Sequence, residues 1–232
     1  MHLNDQLCIV ANSGAISPEP DVMTVRSLHK TSAIVIAAFA CLHLANHLVS
    51  LAGVPAHIEF MKAARVIYRQ PAVEVLLLLC VAAQVCSGLW LLVRGWKQRK
   101  GAVAWLQALS GAVLASFLLI HVGAVLFART VLDLDTNFYF SAAGFHVPPY
   151  QFFFAPYYFF AVLALFTHIG CAVYWHLKST SPRIRRLSVA LPMLVGFVVS
   201  SLLVLSLAGK IQPVDVPAKY KATYSFFSTS SP

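Results

Sequence analysis

The chain has 232 residues, of which 59% are hydrophobic and only 11% are charged, and its mean hydropathy is +0.76. This composition lies far outside the range of soluble globular proteins and excludes an ordinary soluble domain. The formal net charge of +9 comes from basic residues at the ends of apolar stretches. It therefore indicates contact with acidic lipid head groups and does not indicate nucleic-acid binding.

The N-terminal part of the chain lacks the features of a membrane span. It contains Pro18 and Pro20 and has no sustained apolar run. The apolar patch Leu7–Ala11 is too short for the core of a signal peptide, and no basic residue precedes it. The sequence predicts an irregular cytoplasmic segment over residues 1–27.

Five apolar stretches follow, and each is long enough to cross a bilayer as a helix, which takes about 20 residues. None of them alternates with a period of two, so a membrane β-barrel is disfavoured. Their connections leave no room for a soluble catalytic domain. The sequence predicts an all-α membrane protein with five transmembrane helices in a bundle over residues 28–209, followed by an outer tail over residues 210–232. The predicted spans are 31–53, 72–93, 103–128, 152–177 and 187–208.

Basic residues are distributed unequally between the two ends of the predicted bundle. Ten flank the N-terminal side and seven flank the opposite side. The positive-inside rule therefore predicts a cytoplasmic N-terminus in a multi-pass protein of the cytoplasmic (inner) membrane. The ten are Arg26, Lys30, Arg94, Lys97, Arg99, Lys100, Lys178, Arg183, Arg185 and Arg186.

Four histidines lie deep inside the apolar stretches, where hydrocarbon offers an imidazole no water. A single such histidine often only forms a hydrogen bond between helices. Several on different helices point first to a metal or a haem iron. His43 and His121 lie near the same end of two parallel helices, so they share one level, as a six-coordinate haem b requires. The four are His43, His47, His121 and His168.

The remaining histidines near the spans fall at their edges. His57 and His146 lie in the predicted outer loops, where we expect them to be solvated. His29 and His176 lie near the cytoplasmic interface, where we expect them to contact head groups.

The third span resembles the haem-ligating helix of a known family. The stretch WLQALSGAVLASFLLIHVGA, residues 105–124, is similar to the W-[IL]-Q-A-[ML]-[ST]-G segment and following ligand His of the dihaem cytochrome b membrane-anchor subunits of succinate dehydrogenase and fumarate reductase, the succinate:quinone oxidoreductase family. The first span resembles its counterpart because His43 stands ten residues before Gly53. The fourth aligns through Pro156, Tyr158 and His168, and the resemblance covers about residues 31–209.

The resemblance implies an electron-transfer subunit without substrate chemistry of its own. Such a chain passes electrons between haem b and a membrane quinone, and flavoprotein and iron–sulfur partner subunits carry out the dicarboxylate chemistry. It implies His43, His121 and His168 as iron ligands. The family's ligand in the second helix is replaced here by Gln84, and a Glu two residues before the last ligand is replaced by Phe166. We therefore expect one haem rather than two.

The outer end of the bundle carries residues suited to the polar parts of these cofactors. Haem propionates need cations, and three arginines lie on the correct side. Tyr68 and Glu74 border the same region and offer a donor and a proton-exchanging carboxylate for a quinone. His47, one turn from His43, is expected to reach a propionate or a quinone oxygen. The arginines are Arg65, Arg69 and Arg129, for which the alternative role is binding lipid head groups.

A looser resemblance supports a rival function. The pattern AARVIYRQPAVEVLLLL…Q…SG is similar to haem-binding fungal mitochondrial membrane proteins linked to lipid homeostasis. It implies a haem-binding membrane protein without reductase partners, active in haem or lipid homeostasis.

Overall fold

The computed structural model describes residues 20–227, with the side chains of residues 24–224. This part of the chain is helical and contains no strand. Five of its helices are long and apolar enough to cross a membrane, which confirms the predicted all-α, five-span architecture. They are α1 (Pro20–Val49), α3 (Pro71–Arg94), α4 (Ala102–Thr130), α6 (Gln151–His176) and α7 (Pro182–Leu207).

Helix α1 begins earlier than the sequence predicts. It starts at Pro20, so residues 20–27 are helical and the predicted irregular segment is wrong there. Proline favours such a start, because its fixed φ is helical and its missing N–H has no partner in the first turn anyway. The rest of that prediction, residues 1–19, lies outside the described residues.

The five long helices pack in sequence around the bundle. Helix α1 packs on α3, α3 on α4, α4 on α6, and α6 on α7, while α7 returns to α1 at one end. That return is marked by a hydrogen bond of 2.7 Å between the hydroxyls of Ser50 and Ser206. Among the described residues no Cα of α1 lies within 8 Å of a Cα of α4, so these two helices lie across the bundle from each other without packing backbone to backbone.

Short helices cover the end of the bundle at which α1 finishes, which we name the capped end. They are α2 (Val54–Tyr68), α5 (Phe138–Ala143), α8 (Ala218–Lys221) and a final turn, Ala222–Phe227. Phe138 and Tyr220 are fully buried in their shared core. The described part of the predicted tail, residues 210–227, therefore contributes to a folded cap. We name the other end, where α1 begins, the uncapped end.

A glycine makes the turn from α1 into the cap. Helix α1 ends in a short 3₁₀ turn, Ser50–Ala52, and Gly53 follows with φ of 126° and ψ of 152°. Only glycine adopts this region without strain. Pro55 then lies in the first turn of α2, where proline is favoured. The turn directs α2 across the capped end. His57, which belongs to the first turns of α2, is thereby placed at this end of the bundle.

Candidate functional site

The structure brings His43 of α1 and His121 of α4 together across the bundle. Their ring centroids are 6.1 Å apart and the ring planes are inclined at 66°. Both side chains stay partly accessible although each lies well inside a membrane-spanning helix. This confirms the prediction that the two histidines share one level, although they come from helices that are not packed on each other.

Each of these imidazoles is held by a phenylalanine one turn earlier on its own helix. Phe39 stacks on His43 with centroids 5.5 Å apart, and Phe117 stacks on His121 at 4.9 Å. Side chains four residues apart lie on one helix face, so the stacking restricts the rotamers of both histidines. Tyr158 of α6 meets His121 edge-on at 6.5 Å and closes that side.

The separation of the two rings suits one metal ion between them. Imidazoles bound on opposite sides of a metal through bonds of about 2 Å have ring centres roughly 6 Å apart. Over their described lengths, helices α1 and α4 have no pair of Cα atoms within 8 Å of each other, so their backbones are not in contact at this place. No group of three or more His, Cys, Asp or Glu converges as a metal site within the described part of the chain. A haem iron needs only two protein ligands, so the donor set fits a haem.

His47 and His57 extend the imidazole cluster toward the cap. His47 lies 4.8 Å from His43 and 5.3 Å from His57, measured between centroids. The sequence prediction that His57 is solvated is wrong: it is 2% exposed and packs on Phe138.

His146 is also not a free loop side chain, since its Nε2 lies 2.9 Å from the backbone oxygen of Leu207.

Asn46 is the polar partner of His57. The Asn46 amide Nδ2 lies 3.2 Å from His57 Nε2, and Asn46 Oδ1 and His57 Nδ1 are both buried without a partner among the described residues. Burial, then the nearby charges of His43 and Arg65, lowers the pKa of His57 to about 4. His57 is therefore neutral at physiological pH and acts as a hydrogen-bonding group, not as a cation.

The residues predicted for the cofactors' polar parts assemble at the capped end. Arg129 of α4 forms a two-point ion pair with Glu74 of α3. Arg65 binds Asp135 at 2.6 Å, and Arg69 lies 4.0 Å from the same carboxylate. This cluster of three guanidiniums and two carboxylates has an excess of positive charge. Burial, then the positive charges of Arg65 and Arg129, lowers the pKa of Arg69 accordingly.

Tyr68 connects this charged cluster to the imidazole pair. Its ring meets Phe39 edge-on at 5.5 Å, and Phe39 in turn stacks on His43. Glu74 is already paired with Arg129, so its carboxylate is held at the membrane edge of α3 and α4. A role for Tyr68 and Glu74 with a quinone stays a prediction.

The structure does not bring His168 to this cluster. His168 lies toward the uncapped end, where its Nδ1 is 3.1 Å from the backbone oxygen of Gln107 and 3.2 Å from Ser110 Oγ. His29, which the sequence analysis assigned to the interface, instead contacts Ser87 and Gln84 of α3. Sequence reasoning missed this contact because the partners are more than fifty residues apart in the chain.

The glycines of the spans serve different purposes. A Cβ on Gly111 would lie 3.1 Å from His168 Cε1, and one on Gly88 would lie 3.3 Å from His29 Cε1, so both glycines admit an imidazole. A Cβ on Gly170 would lie 2.9 Å from the backbone oxygen of Ser188, so this glycine allows α6 and α7 to pack closely. A Cβ on Gly123 would meet nothing within 4 Å.

In comparisons with known proteins, no family model, no curated protein and no solved structure matches the chain.

Proposed function

We propose that this chain is a b-type membrane cytochrome that holds a haem between His43 and His121 and exchanges electrons with a membrane quinone. The observation that carries the proposal is the 6.1 Å separation of the two imidazoles, which come from two helices that are not packed on each other. When bound, a haem supplies a one-electron carrier whose potential the protein sets. The chain's resemblance to the anchor subunits of succinate dehydrogenase and fumarate reductase supports the same function and suggests flavoprotein and iron–sulfur partners.

The surrounding residues have distinct tasks in this proposal. His43 and His121 would hold the haem iron through their imidazole nitrogens, and Phe39 and Phe117 keep both rings in place. The arginines at the capped end offer positive charge for the propionates, since Arg65, Arg69 and Arg129 outnumber their two carboxylate partners. Tyr68 lies beside this cluster. Its hydroxyl offers the hydrogen-bond donor that a quinone head group requires.

The first experiment is the optical spectrum of the purified full-length chain. We expect a low-spin bis-imidazole b-type spectrum, and His43→Ala and His121→Ala should each remove the component due to this site. His176→Ala is the matched control, because His176 is exposed and its Nδ1 bonds the backbone oxygen of Ala172 one turn earlier on its own helix. If both site variants keep the complete low-spin spectrum, the assignment of the ligands is wrong.

A second experiment separates the reductase subunit from the rival function. Purification from native membranes under mild conditions should recover flavin and iron–sulfur subunits in fixed ratio with the chain. Recovery of the haem protein alone, from membranes whose succinate dehydrogenase stays intact, would contradict the electron-transfer partnership and favour a role in haem or lipid homeostasis.

A further inference from the structure

The uncapped ends of α3, α4, α6 and α7 carry basic residues and no acidic ones. Neither stretch 75–132 nor stretch 136–214, which together contain these four helix ends, has an Asp or a Glu. At the capped end, by contrast, Arg65 and Arg129 each pair with a carboxylate. Negative charge for the uncapped end must therefore come from outside these stretches. Its basic residues are Arg94, Lys97, Arg99, Lys100, Lys178, Arg183, Arg185 and Arg186.

An open groove joins some of these cations to the apolar surface of α3, and we name it the α3 groove. Its first part lies on the membrane-spanning helix and is mostly apolar, and its second part lies on the loop after α3 and is mostly polar. The two parts are continuous, because Val93 and Arg94 line both. The first part is lined by Leu89, Trp90, Val93 and Arg94, and the second by Val93, Arg94, Trp96, Lys97 and Gln98.

The loop that forms the second part is held in place by Arg99. Its Nη2 donates to the backbone oxygens of Leu91 and Leu92 at 3.3 and 2.6 Å, at the C-terminal end of α3. These carbonyls have no partner within the helix and carry partial negative charge, so a guanidinium stabilises them. The Arg99 guanidinium also lies 5.5 Å from the ring centre of Trp96 and 5.8 Å from that of Trp105. Arg99 therefore serves the fold and fixes the indole at the edge of the groove.

The other cations of the α3 groove lie at the depth of lipid head groups. Tryptophan is enriched at the boundary between hydrocarbon and water, and Trp90 and Trp96 both line the groove. The Arg94 guanidinium lies 5.2 Å from the ring centre of Trp90. Lys97 is exposed on the short 3₁₀ turn Trp96–Gln98. The charge therefore faces the region where phosphates lie, directly below an apolar surface.

We propose that the α3 groove binds an anionic phospholipid of the leaflet at the uncapped end. Its phosphate lies against Lys97 and Arg94, and an acyl chain follows Val93 and Leu89. Charge complementarity favours a lipid with a net negative charge, because the cation of a zwitterionic head group would be repelled here. A soluble partner protein could meet the cations, but Leu89 and Val93 lie within a membrane-spanning helix, where lipid is the natural neighbour. The proposal uses no residue of the imidazole cluster and does not depend on a haem.

Photocrosslinking in nanodiscs tests this site on the full-length chain purified from native membranes. The nanodiscs contain phosphatidylcholine and a small equal fraction of photoactivatable phosphatidylglycerol or phosphatidylcholine with the same acyl chains, and mass spectrometry maps the labelled residues. We expect phosphatidylglycerol to label residues 89–98 several-fold more than phosphatidylcholine. Lys97→Gln should lower this preference about fivefold, the effect of one cation near an anionic surface, whereas Lys97→Arg should keep it.

Lys178→Gln is the matched control, because it removes one exposed positive charge at the same end but outside the groove. It should leave the preference at residues 89–98 unchanged, and phosphatidylcholine should label the exposed face of α7 equally in all variants if the fold is intact. Equal labelling of the groove by both lipids overturns the proposal. Equal losses in Lys97→Gln and Lys178→Gln also overturn it, because they indicate only a general surface potential. A groove that lipid labels only after bound soluble subunits are removed belongs to a protein partner, which overturns it as well.

Discussion

The α1–α3 half and the α4–α6 half of the bundle place their histidines differently. At the capped end both halves keep the histidine on the equivalent helix, so His43 faces His121 directly. At the uncapped end the first half has its histidine on α1, at His29, and the second half has it on α6, at His168. At the uncapped end each histidine instead contacts the helix packed beside its own, His29 contacting α3 and His168 contacting α4.

The largest expected effect concerns the ion pair that joins the halves at the capped end. Arg129→Met leaves Glu74 without its partner in a position that is about a quarter exposed, with 26% of the side chain accessible. Removing one member of a buried pair destabilises by about 3–5 kcal/mol, so this partly exposed pair should lose roughly 2 kcal/mol. Thermal unfolding in detergent measures the loss.

Two comparisons control this prediction. Arg129→Met/Glu74→Met should recover much of the lost stability, because no charge is left unpaired. Lys62→Met breaks the exposed pair with Glu59, in which both side chains are more than half accessible, and should change stability by less than about 1 kcal/mol. Equal losses in Arg129→Met and Lys62→Met would show that the Glu74 pair does not join the halves.

The long helices could be predicted from the sequence because the bilayer imposes a length and an apolar composition that any span must meet. The predicted third span, 103–128, differs by only a few residues from α4 (Ala102–Thr130). The level of His43 and His121 followed from their distances to the helix ends. These features depend on local sequence and on the known rise of a helix.

The cap and the uncapped-end contacts could not be predicted in this way. Val54 of α2 lies in one buried cluster with Phe138 and Tyr220, which come from distant parts of the chain. The same holds for His57, whose loop-like position in the sequence gave no sign that α5 covers it. For His29, the two contacts that turn it inward come from a helix over fifty residues later.

Alanine substitutions at the two glycines that admit imidazoles should have smaller effects on stability. A Cβ on Gly111 meets His168 at 3.1 Å, whereas one on Gly88 meets His29 at 3.3 Å. Overpacking a tight site costs about 1–3 kcal/mol, while alanine in a helix gains roughly 0.5–1 kcal/mol over glycine. We expect Gly111→Ala to lose about 1 kcal/mol in thermal unfolding and Gly88→Ala to lose less. Gly123→Ala, with open space, should be neutral or stabilising, and a loss there equal to that of Gly111→Ala would contradict this account.

An effect of similar size is the pH dependence of stability that comes from His57 at the capped end. Burial lowers the pKa of His57 to about 4 in the folded protein, whereas an ordinary histidine has a pKa of about 6.5. Between pH 6.5 and pH 4, His57 therefore stays neutral in the folded protein. Between those values the unfolded chain binds the proton more readily, and stability must therefore fall as the pH falls. His57→Gln keeps an acceptor for Asn46 but does not titrate, and all other histidines stay the same. We expect the parent protein to lose roughly 1 kcal/mol more than His57→Gln between pH 6.5 and 5, measured by thermal unfolding at each pH. His176→Gln, which changes an exposed histidine, should follow the parent. If His57→Gln follows it as well, protonation of His57 does not limit the stability of the cap.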